Sequence, residues 1–315
     1  MNYQSFTAGI FLIITAMIWG LSYSAQSKAM DHLPPLFFVA LRYLIAGVFV
    51  LILYWGRQLL KRKEQSCEQQ EQLENTASEN VPDKKAVRKF LLIGGVCCGF
   101  CLAGGEILQQ FGLCYTTAGK TGFLTALYVI MIPVIGMFIH KKAKLKIWIA
   151  AVISLLGSFA LCYTSDFGVI GNKGDVLVIL CALFFAFQFI AIAKFAPEAD
   201  ALILSAIQFF TVAVISGILA FAVREQWTCQ DIVLAAGPLI YCGIIAIGIA
   251  CTIQVAAQKY VHPATASIIL SMASVFAVIF GVLFLGERYS ALNLVGCALI
   301  LAAVIMVQLP EKKED

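Results

Sequence analysis

The chain has 315 residues and a formal net charge of +4, with hydrophobic residues at 61% and charged residues at 13%. A soluble globular domain carries about 25% charged residues, so a water-soluble fold is excluded. Disorder and a short disulfide-dense secreted scaffold are excluded with it, which leaves a chain that lies almost wholly inside a lipid bilayer.

A helix crosses the hydrocarbon with roughly 20 apolar residues. Backbone polar groups in lipid must be satisfied within the segment, so long apolar tracts are helices. The first tract, residues 1–27, carries no charge, has no Lys or Arg ahead of it, and reads as a retained span rather than a cleaved signal peptide. The second, 36–56, is interrupted by Arg42 alone. Residues 57–89 then hold 14 of the chain's charged side chains and are expected to form a cytoplasmic loop, disordered at its Glu/Gln-rich centre, 64–80. The third tract, 90–113, is interrupted only by Glu106. Charge-free tracts follow at 121–140, 147–165, 176–193, 201–223, 232–258, 260–286 and 289–310, making ten spans. Ten of the eleven cysteines lie in or near these tracts, and Cys97, Cys98 and Cys101 read as small packing residues.

Lys and Arg concentrate on the cytoplasmic side of membrane proteins. With the N-terminus inside, the inner segments hold 16 and the outer loops 5, Lys28, Lys120, Lys173, Arg224 and Arg288. The expected orientation is a multi-pass plasma-membrane protein with both termini cytoplasmic. The net charge sits in loops beside the membrane, so it is no signal for nucleic acid.

The chain also repeats itself. A shift of 166 residues lays Ala16, Lys28, Leu36, Ala40 and Val48 on Ala182, Lys194, Leu202, Ala206 and Val214, with Trp19 on Phe185 and Tyr43 on Phe209. Further along the shift is 145, which lays Gln109, Tyr115 and Gly136 on Gln254, Tyr260 and Gly281. Five spans per half is an odd number, so the second half lies inverted relative to the first. The expected fold is all-α and integral to the membrane, ten transmembrane helices as two inverted five-helix repeats at 7–165 and 174–309. Inverted repeats are the architecture of secondary transporters, with the substrate near the midplane between the halves.

Several short motifs bear on the family. Ala16-Met-Ile-Trp-Gly20 with Lys28, Leu33-Pro-Pro35 and Ala40-Leu-Arg42-Tyr43 opens the chain. Gly112 to Gly122, Leu127-Tyr128 and Pro133 follow, and Gly174-Asp175, Gln208 and Leu285-Gly-Glu-Arg288 mark the second half. Together they resemble the EamA family of the drug/metabolite transporter superfamily over all ten spans. The sequence departs from that pattern at Lys142, at Ala273-Ser274 in place of Glu-Pro, and in its long charged insert at 67–83. The resemblance implies a transporter of amino acids or related metabolites, with export as the direction, and no cofactor.

An ionisable group inside the membrane costs roughly 2.5–3.5 kcal/mol on insertion scales, so Arg42 and Glu106 each need a reason. Arg42 can snorkel outward or pair with a carboxylate beside the cavity. Glu106 shares a helical face with Gln109 and Gln110 and is expected to face the cavity or to pair with Arg42. Gln109 and Gln254 are candidates for a polar cavity lining or for interhelical hydrogen bonds, and Gln188 and Gln208 are further polar candidates. Trp19, Tyr23, Tyr128 and Phe189 are candidate aromatic walls, though aromatics also serve as packing or interface anchors. Lys120 reads as the solvated outer end of its helix.

The candidate substrate-binding set is therefore Trp19, Tyr23, Glu106, Gln109, Tyr128, Gln188 and Gln254, with Glu106 and Arg42 as a coupling or charge pair. No metal ligand set and no nucleotide-binding loop is evident. The partners expected are a small-molecule substrate and the bilayer, with monomer or homodimer left open. A secondary transporter working by alternating access is the leading reading. A channel or facilitator is the alternative; a membrane-embedded enzyme is disfavoured, because the three histidines lie at span ends and no intramembrane carboxylate pair exists.

Overall fold

The computed structural model describes residues 3–68, 84–116, 118–139, 143–163, 171–285 and 290–309. Among them, ten helices are long and apolar enough to cross a membrane. In chain order they are Tyr3–Ala29, Pro35–Lys61, Val87–Leu113, Lys120–Phe138, Leu145–Cys162, Lys173–Glu198, Ala201–Ala222, Ala236–Ala257, Pro263–Phe280 and Ala291–Gln308. They are referred to below as the first to tenth spans. Spans one and ten bring both chain ends to one end of the bundle, the termini end; the opposite end is the far end. Large apolar side chains such as Ile52, Trp55, Ile218 and Phe221 face outward, as lipid-facing surfaces require.

The helices run past the apolar tracts. The second helix continues to Glu68 and the third begins at Lys84, so the charged 57–89 segment is helical at both flanks and not a loop throughout. Its Gln, Leu, Lys, Arg and Glu residues are good helix formers, and a helix already nucleated in lipid propagates at little cost. The expectation of disorder at 64–80 falls mainly on 69–80, which lie outside the described residues, as do Lys142 and Glu287-Arg288.

The inverted repeat is visible in the packing of small residues. A Cβ on Gly99 of the third span would stand 2.8 Å from the Gln208 carbonyl oxygen and 2.6 Å from Thr211 of the seventh. A Cβ on Gly243 of the eighth would stand 3.0 Å from the Arg42 carbonyl oxygen and 2.9 Å from Ile45 of the second. Gln208 and Thr211 are Arg42 and Ile45 shifted by 166, so the two contacts are one contact repeated. Gly157 and Gly296 meet each other's carbonyl oxygens where spans five and ten, counterparts in the repeat, cross. Small residues at these crossings let helix backbones approach closely.

Two departures from regular helix shape the interior. The fourth span is two helices, Ala118–Thr125 and Tyr128–Phe138, and the ninth is two helices, Pro263–Leu270 and Met272–Leu285. The breaks fall at Ala126 and Ser271, which the 145 shift superimposes. The eighth span contains a π-helical stretch, Tyr241–Cys251. At its start Cys98-Gly99 matches Cys242-Gly243 at a shift of 144, and after it Gln109 matches Gln254 at 145. A π-helical stretch accommodates one extra residue in a helix, which accounts for the change of register.

Candidate functional site

Where the halves meet, a cavity, about 910 Å³ with open solvent at its mouth included, reaches from the middle of the bundle towards the far end. Trp19, Glu106, Gln109, Tyr128, Gln188 and Gln254 all line it, and so does Arg42. Tyr23 lies on the first helix, but its side chain is outside the described residues.

Each span places its contribution by a local feature. On the first, Trp19, Ser22 and Gln26 follow at i, i+3 and i+7 along one face, and all three reach the cavity. The indole Nε1 of Trp19 donates to the Ala246 carbonyl at 2.9 Å. Ala246 lies inside the π-helical stretch, where the altered backbone bonding leaves a carbonyl that a side chain can reach. Thr15 donates to the Ala250 carbonyl at 3.3 Å and Tyr241 to the Ile18 carbonyl at 2.6 Å. The first and eighth spans are thus joined by hydrogen bonds above and below the indole.

The second and third spans supply the charges. Arg42 Nη2 forms an ion pair with Glu106 Oε2 and lies 3.4 Å from the Gln110 side-chain oxygen. Its side chain is 2% exposed and that of Glu106 15%. The guanidinium stands over the Phe38 ring at 4.8 Å and the Tyr43 ring at 5.7 Å, contacts that favour a cation in a poorly solvated place. Gln109 Nε2 donates to Thr125 Oγ1 at 3.0 Å, one residue before the break in the fourth span. Across the cavity, Tyr128 stacks on Phe189 with ring centroids 5.3 Å apart. The Ser271 hydroxyl, at the break in the ninth span, lies 2.9 Å from that of Ser154.

Lys120 is not a solvated helix end. It is 5% exposed and its Nζ lies 3.0 Å from Asp175 Oδ2. Asp175 is fully buried; it also accepts from Thr116 at 2.9 Å and from the Gly171 N–H at 2.8 Å, and forms a capping box with Asn172. The tract around Lys120 joins two helices, which suggested solvent, but the partner lies some fifty residues further on in a motif that spacing alone does not connect. The cluster fastens the start of the fourth span to the start of the sixth.

Chemically, the cavity offers aromatic faces for an apolar body, amides that can donate and accept, and one ion pair. Among the described residues no group of three or more His, Cys, Asp or Glu could hold a metal ion. Sequence reasoning missed Ser22, Gln26, Thr125 and Ser271 as lining residues. For the first two the i, i+3, i+7 spacing from Trp19 was a usable signal.

A family model described as the EamA-like transporter family matches residues 7–163 and 172–309. The chain belongs to the EamA-like transporter family. This EamA-like chain is therefore a multi-pass membrane transporter of the drug/metabolite transporter superfamily. It is similar to an uncharacterized transporter of Archaeoglobus fulgidus, 27% identical over 303 residues, covering 96% of this chain and 86% of the relative. It is also similar to the uncharacterized transporter YwfM of Bacillus subtilis, 24% identical over 97% of this chain and 95% of the relative. A crystal structure covers 98% of this chain and 97% of its own at a TM-score of 0.74 and 16% identity, a likeness of fold.

Proposed function

We propose that this EamA-like chain moves a small zwitterionic metabolite, an amino acid or a related compound, out across the cytoplasmic membrane by alternating access of two halves, 7–165 and 174–309, with both termini cytoplasmic. The observation that supports this reading is the make-up of the cavity. Repeat-related residues line it from both halves: Trp19 with Phe185, Ser22 with Gln188, Gln109 with Gln254, Ala126 with Ser271. A site built on the repeat relation is the one place that both conformations of an inverted-repeat transporter keep in common.

The substrate class follows from the side chains. Arg42 is a partner for a carboxylate, which it can hold through two parallel hydrogen bonds. Glu106 is a partner for an ammonium group, and in this structure the two side chains pair with each other. The amides of Gln109, Gln188 and Gln254 suit further polar atoms, and Trp19, Tyr128 and Phe189 suit an apolar side chain.

Metabolite profiling of cells with and without the gene tests the reading. We expect one or a few amino acids or close derivatives to accumulate in the medium when the protein is present. Glu106→Gln should abolish the accumulation with the protein still in the membrane. A medium unchanged for every zwitterionic compound would contradict the proposed substrate class.

A further inference from the structure

The repeat symmetry of the cavity is broken on one side only. Gln26, Arg42 and Tyr43 line its far half, whereas their repeat mates at a shift of 166, Ile192, Gln208 and Phe209, do not line it and are fully buried in the half towards the termini end. The pairs at the middle line it from both halves. An inverted-repeat transporter that exchanges the conformations of its halves converts each residue's surroundings into those of its mate. The buried three therefore mark where a second pathway opens.

Gln208 is the informative member. Its backbone occupies the seat that Arg42 occupies in the other half, pressed against Gly99 as Arg42 is against Gly243. At Arg42 the guanidinium Nη2 is held by Glu106 and Gln110, while Nε is left without a partner. The mates of those two at a shift of 145 are Cys251 and Val255, which offer an amide almost nothing. Accordingly both the Nε2 and the Oε1 of Gln208 are buried with no hydrogen-bond partner. Leaving one such group unsatisfied costs about 1–3 kcal/mol, so a buried amide with both atoms orphaned requires a reason. Further along, Ser205 Oγ, on the same face of the seventh span and nearer the termini end, is orphaned too, as is Gln258 Nε2. Ser205 and Gln208 lie on the span that packs against the Thr252–Ala257 part of the eighth, which ends beside Gln258.

We propose that Gln208 is the counterpart of Arg42 in a second pathway opening to the termini end, and that its amide donates to and accepts from the transported solute when the cavity faces that way. The inference rests on alternating access as proposed above. It adds an asymmetry: the solute meets an ion pair on the far side and a neutral amide on the termini side.

Thiol accessibility tests it. In a cysteine-free background, Gln26→Cys and Gln208→Cys are exposed to the membrane-impermeant reagent MTSET from one face of sealed vesicles at a time. Two locks are added by oxidation: Phe37→Cys with Trp227→Cys at the far end, where the native rings stack with centroids 4.2 Å apart, and Arg57→Cys with Asp200→Cys at the termini end, where the native side chains are ion-paired. We expect Gln26→Cys to react from the far face only, and Gln208→Cys from the termini face only. Both locks fix contacts that exist while the cavity faces the far end, so each should suppress the Gln208→Cys rate at least tenfold and hold or raise that of Gln26→Cys. If Gln208→Cys does not accumulate, Ser205→Cys carries the same expectations. Gln208→Cys that stays unreactive from the termini face, while the locks still govern Gln26→Cys, overturns the proposal and spares alternating access. Locks that change neither position overturn both. Gln208→Leu supplies a second readout: it removes two orphaned polar atoms, so the melting temperature should hold or rise while solute exchange is lost. A fall in melting temperature with exchange intact would make Gln208 structural.

Discussion

Two ion pairs lie at the far side of the interior, and they differ in what surrounds them. Lys120–Asp175 is enclosed by protein, with its carboxylate further held by Thr116 and the Gly171 backbone. Removing one partner of a buried pair leaves an uncompensated charge and costs about 3–5 kcal/mol. Lys120→Met should therefore lower the melting temperature and the yield of folded protein in detergent, and an unchanged melt would contradict the fastening role. Arg42–Glu106, by contrast, faces the cavity. Glu106→Gln should be milder, about 1–3 kcal/mol, because solvent in the cavity can take over part of the lost bond. Adding Arg42→Met should restore the melting temperature without restoring transport. Recovery of both, measured side by side, would make the pair structural alone.

At the scale of elements, the π-helical stretch and the paired breaks give the interior its shape. Deleting one residue from Tyr241–Cys251, such as the outward-facing Ile245, should be absorbed by a return to regular helix, since the stretch already carries one residue too many for an α-helical register. The variant should accumulate and melt like the wild type, with transport impaired because Ala246 no longer presents its carbonyl to Trp19. Deleting Val255 from the α-helical part should instead turn all that follows by about 100° and prevent accumulation. Equal tolerance of both deletions would contradict this account. Spans were legible in the sequence because charge is excluded from lipid, and the repeat because bulk matches at fixed shifts. The breaks at Ala126 and Ser271 were not, since neither site carries a proline or glycine that would announce a turn. The register change was hidden for a related reason: one inserted residue alters the shift from 144 to 145 without altering composition. Gln109 and Gln254 could be paired by sequence, and their matched contribution to the cavity follows from that pairing. Lys120 was misread because its partner is distant along the chain.

At the scale of the whole molecule, the two halves share one plan and differ in charge, with the Arg42–Glu106 ion pair in one and the neutral amide of Gln208 at the matching position of the other. Their orientation has a direct test: an impermeant reagent applied to intact cells should label a cysteine placed at Lys173 and leave one at Lys61 untouched. The reverse pattern would invert the assignment of both termini. The central claim is that a zwitterionic solute passes through the cavity by alternating exposure to the two sides. Counterflow in proteoliposomes tests it most directly: vesicles loaded with millimolar unlabelled amino acids are diluted into trace labelled amino acids. Alternating access predicts transient, saturable accumulation of label for the substrate, absent with Glu106→Gln. Label that only equilibrates, at a rate linear in concentration and indifferent to solute on the other side, would describe a channel and contradict the account.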